Sequence, residues 1–232
     1  MPTTSSCILC GSHYSIEDAP LFLWQQEETC EAHRQALIGH VATTSVDAVV
    51  PKRQRGARSL LRELASWTPL GDDAQGVYLF GAVGRGKSYQ AAALLRSGWA
   101  QWMRYHGKAP TIAWYQVAVL LQHLRSSMGT KNGSEWLRVL FDCDLLVLDD
   151  LGAERVTDWT REQVLLLISE RYDRGAVTIL TSNYALGDLA ERLTPEDDPA
   201  NLDGQRIASR IAQSSLRVEV VGDDRRLRRA EN

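Results

Sequence analysis

Eight consecutive residues, Gly81-Ala82-Val83-Gly84-Arg85-Gly86-Lys87-Ser88, fit the pattern G-x-x-x-x-G-K-[ST] without a mismatch. Each residue type has a reason to be there if the loop cradles phosphate. Glycine reaches backbone angles that turn successive N–H groups toward a β-phosphate, and a helix opening at the end of the loop adds the partial positive charge of its N-terminus. Lys87 would reach the β- and γ-phosphates, the Ser88 hydroxyl would hold Mg²⁺, and Tyr89 closes the stretch that faces the nucleotide. A second group, Asp149-Asp150, ends the apolar run Leu145-Leu146-Val147-Leu148. Asp149 would support the Mg²⁺, and Asp150 would orient or deprotonate an attacking water. Asn183 follows a further apolar run, Ala176 to Thr181, where a polar side chain could reach the γ-phosphate or the water, or could instead cap the next helix. Together these residues imply binding of a nucleoside triphosphate.

A different chemistry is written near the N-terminus. Cys7-x₂-Cys10 and Cys30-x₂-His33, nineteen residues apart, have the ligand spacing of a tetrahedral Cys₃His zinc site. Gly11 permits the tight turn of a knuckle, Leu21 to Trp24 could supply a small apolar core, and His13 is the substitute for His33 as fourth ligand. Four protein ligands leave no position for water, so the zinc would be structural.

The elements that must hold these groups are legible in outline. Val77 to Phe80 reads as a buried strand before the glycine loop, and a long helix follows it through Leu95, Trp99 and Trp102 until Gly107 and Pro110. The spacing predicts a strand at Thr111 to Trp114, a helix with Val117, Leu120, Leu121 and Leu124, and a polar loop from Met128 to Ser134 before a short helix. Thr160-x-x-Gln163 has the form of a capping box opening a helix that Gly175 closes. Gln205 to Ile211 reads as a helix with Arg206 and Arg210 on one face, and Leu216 to Val221 as a strand. Leu60, Leu61, Leu64 and Trp67 fall at helical spacing. Between Ile38 and Ser59 the periodicity fades, and the basic run Lys52, Arg53, Arg55 and Arg58 reads as a linker that could touch nucleic-acid phosphates. The expected division is a zinc module over 1–50, a basic linker and leading helix over 51–66, the nucleotide-binding domain over 67–222, and a charged tail over 223–232.

With 232 residues, 44% hydrophobic and 24% charged, the chain has the composition of a globular protein with a sizeable core. A net charge of −3 provides no global attraction to nucleic acid, so contact must come from local patches such as the linker or the tail arginines Arg225, Arg226, Arg228 and Arg229. There is no membrane-spanning apolar run and no signal peptide, which points to the cytoplasm, where thiols stay reduced.

The motifs GAVGRGKS, LLVLDDLGAERVTDW, TILTSN and GQRIASRI, the last followed by a strand and GDDRR, together resemble the AAA+ ATPases of the bacterial replicative-helicase loaders (DnaC/DnaI type) and their relatives, the IstB transposition ATPases. The likeness runs from about Ser59 to Arg226, and four motifs in this order are more specific than a phosphate loop alone. It implies an α/β fold, a P-loop AAA+ three-layer sandwich around a parallel sheet, with no C-terminal lid and with a small zinc-binding domain in front. It implies ATP or ADP with Mg²⁺, hydrolysis of ATP to ADP and phosphate, Asn183 as the sensor-1 residue, and Arg210 as an arginine finger with Arg206 beside it. The finger would act on a neighbour's ATP in a nucleotide-dependent ring or spiral. A zinc-binding N-terminal domain is similar to that of DnaI-type loaders, where it contacts the helicase, whereas IstB proteins have a helical N-terminus. The expectation is therefore an ATPase that loads a replicative DNA helicase onto single-stranded DNA. The alternatives are a transposition helper on duplex DNA and a nucleotide-gated scaffold with little turnover. Asp150 stands where AAA+ proteins commonly carry the longer Glu.

Overall fold

Strands without polar alternation, such as Val77-Tyr78-Leu79 and Leu145 to Leu148, need apolar cover on both faces, which is the condition of a parallel sheet. The computed structural model describes residues 42–71, 75–127, 131–195, 197–198 and 200–222, with the backbone alone at 131–136. It contains a five-stranded sheet of β1 (Gly76–Phe80), β2 (Ile112–Gln116), β3 (Leu145–Leu151), β4 (Val177–Ser182) and β5 (Ser215–Glu219). All neighbours pair in parallel, in the order β2-β3-β4-β1-β5.

Alternation along each strand divides the core into two layers. Val77, Leu79, Leu145, Val147, Val177 and Ile179 face α1 (42–49) and α2 (Lys87–His106). Tyr78, Leu146, Leu148 and Leu180 face α3 (Val117–Ser127), α5 (Asp158–Asp173), α6 (Leu186–Leu193) and α7 (Asp203–Ser214), with Leu140 of α4 (Lys131–Asp142). The result is the expected three-layer α/β sandwich around a parallel sheet. Gly107, at φ 67°, closes α2 as its sequence foretold. Among the described residues, no helix is long and apolar enough to cross a membrane.

Residues 57–67 do not form the expected leading helix. They run as a strap along α2, with one 3₁₀ turn at Arg62–Leu64. Their helical spacing is overridden by side chains of α2 that take up the backbone donors: Arg58 N–H donates to Tyr89 Oη at 3.4 Å and Leu61 N–H to Gln90 Oε1 at 3.0 Å. Trp67 packs against Gly98, where a Cβ would come within 2.9 Å of the indole. The indole N–H donates to the Gln75 carbonyl at 2.8 Å.

The segment read as a linker is also partly structural. Ala42, Val46 and Val50 are buried in the same cluster as α2. The buried Arg96 of α2 donates to the Ala57 carbonyl and pairs with Asp47 at 2.5 Å.

Other boundaries shift by a few residues. The polar stretch from Lys131 belongs to α4, and α7 opens at Asp203. The capping box of α5 is Thr157 with Thr160, not Thr160 with Gln163: Thr160 N–H donates to Thr157 Oγ1 at 3.2 Å and Thr157 N–H to Thr160 Oγ1 at 2.8 Å. Arg171 of α5, only 1% exposed, ties two ends of the outer layer to the sheet. It donates to the carbonyls of Leu140 (2.7 Å), Cys143 (2.9 Å) and Val177 (2.6 Å), and to Thr178 Oγ1 (2.8 Å).

Candidate nucleotide-binding site

The C-terminal ends of β1, β4 and β3 lie side by side, so the three motifs that follow them converge, as ligand sites do in open α/β sheets. The glycine loop leaves β1 and enters α2 at Lys87, with Gly86 as its N-cap at φ 96° and no side chain capping the first turn. Those amides are therefore available to an anion. Gly84 (φ 81°) and Gly86 occupy left-handed angles that suit glycine.

Lys87 is buried, and its ammonium donates to the Gly81 carbonyl (2.8 Å), the Ala82 carbonyl (3.0 Å) and Asn183 Oδ1 (2.7 Å). Asn183 thus faces Lys87, the lysine expected at the phosphates. It does not cap the next helix, whose N-cap is Ala185.

Ser88 Oγ donates to Asp149 Oδ1 at 2.8 Å, and Thr181 Oγ1 donates to the same oxygen at 2.6 Å. Asp149 is 2% exposed. Burial pushes its carboxyl above the usual range, with the charge of Asp150 adding to the shift, while the Thr181 and Ser88 hydrogen bonds and the Lys87 charge oppose it. A serine hydroxyl and a carboxylate in contact are hard oxygen donors of the kind Mg²⁺ takes, and a lysine amine beside a glycine cradle suits triphosphate, so the residues present fit both groups.

Asp150 is the one non-glycine residue with positive φ among the described residues, at 60°. The β3–β4 register shifts between Leu148 and Leu151, a bulge that breaks the alternation where the two acids sit. The turn is held from several sides. Asp150 N–H donates to Thr181 Oγ1 (2.9 Å), Ser182 Oγ to the Leu151 carbonyl (2.7 Å), and Gly152 N–H to Glu154 Oε2 (2.8 Å). Arg192 donates to the carbonyls of Gly152 and Glu154 and lies over the Tyr184 ring. Sequence reasoning did not single out Thr181, Ser182, Glu154 or Arg192. The two hydroxyls just before Asn183 were the available hint, but their role depends on the bulge.

Arg210 lies on α7, which packs on α5 and α6. Its Nε is buried without a partner, and it makes no ion pair with Glu191 or Asp203 among the described residues. Asp203 is engaged by Arg161 (3.7 Å) and Arg206 (3.3 Å). Tyr89 turns its hydroxyl toward the strap. Lys52, Arg53, Arg55 and Arg58 are exposed. Cys7, Cys10, His13, Cys30, His33 and the tail arginines lie outside the described residues.

A family model described as "IstB-like ATP binding protein" matches residues 44–232. The replicative helicase loader DnaI of Bacillus subtilis (strain 168) is 25% identical over 196 residues, 83% of this chain and 60% of its own length. A putative insertion sequence ATP-binding protein, y4uH of Sinorhizobium fredii, is 28% identical over 151 residues, 65% of this chain and 56% of its own length. The chain thus spans less than two thirds of either relative. A crystal structure of DnaI superposes with a TM-score of 0.54 at 23% identity, covering 92% of this chain and 90% of that one, a likeness of fold.

Proposed function

We propose that this chain, which belongs to the family of IstB-like ATP binding proteins, is an ATP-hydrolysing loader of a replicative DNA helicase onto single-stranded DNA. The observation that carries the ATPase reading is the contact network joining Lys87, Ser88, Asp149 and Asn183 at the ends of three adjacent strands. In this reading Lys87 and the loop from Gly81 to Tyr89 hold the phosphates, and Ser88 and Asp149 hold Mg²⁺. Asp150 and Asn183 place the water, and Arg210 serves the ATP of a neighbouring subunit in a ring or spiral. Bound Mg²⁺ would neutralise charge developing on the phosphates.

The loader reading draws support from the similarity to a replicative helicase loader over most of the chain. It is also supported by the Cys7, Cys10, Cys30 and His33 spacing, which would form a zinc module that grips the helicase. The protein would work in the cytoplasm. The basic residues Lys52, Arg53, Arg55 and Arg58, or the tail arginines Arg225, Arg226, Arg228 and Arg229, would meet the DNA phosphates.

A second reading, an ATPase that assists transposition on duplex DNA, is favoured by the insertion-sequence relative. ATP turnover measured with single-stranded and with duplex DNA, beside pull-down of a purified replicative helicase, separates the two. Stimulation by single strands together with helicase capture is expected. Stimulation by duplex alone, with no helicase bound, would overturn the loader reading. Elemental analysis should find about one zinc per chain. A protein without zinc would remove the proposed helicase grip.

A further inference from the structure

The two acids at the bulge of β3 share a single support. Thr181 is fully buried at the tip of β4, and its hydroxyl does two things at once. It donates to Asp149 Oδ1 at 2.6 Å and accepts the Asp150 N–H at 2.9 Å. One hydroxyl has a single proton to give, so its direction is fixed: the proton goes to Asp149, and a lone pair is left for the backbone of Asp150. The oxygen of Asp149 that receives this proton also receives the one from Ser88.

We propose that Thr181 is a positioning residue that couples the metal-side acid to the water-side acid, holding the Asp149 carboxylate in place and pinning Asp150 in its left-handed conformation with the same atom. The inference rests on the nucleotide-site reading above. The two carboxylates are adjacent in sequence and repel each other, and strand alternation alone would send them to opposite faces. A support that grips the side chain of one and the backbone of the other converts that alternation into a fixed relation between metal and water. Ser182, Glu154 and Arg192 hold the rest of the turn through other atoms, so removing the Thr181 hydroxyl leaves the loop tied.

The test uses the full chain and two substitutions. Thr181→Val keeps the shape of the side chain and deletes the hydroxyl, and Thr181→Ser keeps the hydroxyl. A fluorescent ATP analogue titrated with Mg²⁺ and with EDTA gives the gain in affinity that the metal supplies, and steady-state assays separate kcat from KM. Thr181→Val should bind the analogue in EDTA as the wild type does. It should lose about 10–100-fold in the Mg²⁺-dependent gain and in kcat, the usual cost of removing a hydrogen bond to a metal ligand. Thr181→Ser should recover most of both.

A Thr181→Val protein with the wild-type Mg²⁺ gain and kcat would overturn the proposal. So would one that binds equally poorly with and without metal, because that outcome marks a purely structural role. Lys87→Ala separates this failure from failure of the site reading. If Lys87→Ala binds the analogue like the wild type, the nucleotide site itself is misassigned and the inference falls with it. If Lys87→Ala loses binding while Thr181→Val is unaffected, only the role of Thr181 is refuted.

Discussion

Replacing Asp150 by glycine should make the protein more stable while removing its turnover. At φ 60° the Asp150 backbone sits where a Cβ crowds the following carbonyl, at a cost of roughly 1–2 kcal/mol. Glycine escapes that cost but gives back roughly 0.5–1 kcal/mol in chain entropy, leaving a net gain of about 0.5–1 kcal/mol. The removed carboxylate complicates the comparison, since it also repels Asp149. Asp150→Ala is the control, because it removes the same charge and keeps the strained Cβ. The difference between the glycine and alanine variants therefore isolates the net backbone effect, about 0.5–1 kcal/mol, or about 1–4 °C in melting temperature for a domain of this size. Thermal melts of the three proteins without nucleotide, paired with ATPase assays, make the measurement. Both variants should be catalytically dead, with glycine the more stable. Equal melting temperatures for Asp150→Gly and Asp150→Ala would refute the claim that strain is stored at this acid.

Arg171→Met should cost at least about 3 kcal/mol in urea denaturation, because it strands buried carbonyls of Leu140, Cys143 and Val177. A loss below about 1 kcal/mol would show that these bonds are dispensable. Glu154 is buried, with one carboxylate oxygen unpartnered, and burial raises its carboxyl above the ordinary 4.5. Its folded form therefore holds the proton more tightly than the unfolded chain. That stability is intact below pH 4.5 and is lost as pH rises through the folded value. Glu154→Gln should gain on the wild type in melting temperature as pH climbs from 4.5, and a gap independent of pH would contradict this assignment. Arg210→Ala subunits should bind ATP but hydrolyse it poorly, and mixing them with Lys87→Ala subunits should restore turnover, since each supplies what the other lacks. Full activity of Arg210→Ala in the assembled state would exclude a finger.

The sequence was informative where function depends on residues close along the chain. The glycine loop, the paired acids and Asn183 are each tied to the strand before them, and an apolar strand with a polar tip is a short-range signal. The helix expected at Leu60 to Trp67 failed because its spacing serves a strap whose backbone donors are met by Tyr89 and Gln90, about thirty residues away. The capping box was misplaced by three residues because a threonine hydroxyl at Thr160 does the work that the sequence rule assigns to glutamate or glutamine. The helix over 42–49 did carry a signal, since Ala42, Val46, Val49 and Val50 fall on one face, but that apolar stripe spans only two turns before the basic run begins. Thr181 was out of reach, because a register shift in the neighbouring strand has no spacing of its own.

The strap also fixes where the chain can be divided. Ala42, Val46, Val50, Ala57, Leu64 and Trp67 are buried in one cluster with α2, so a cut at 50 or at 66 would uncover apolar surface on the very helix that begins with Lys87 and Ser88. An isolated fragment beginning at residue 67 would be prone to aggregation, and weak nucleotide binding by it would say little about the intact chain. A fragment that keeps the chain from residue 42 onward retains the Asp47–Arg96 pair and the apolar residues buried with α2. Residues 42–67 therefore act as a splint, bracing the helix that begins with Lys87 and Ser88 at Tyr89, Gln90, Arg96 and Gly98.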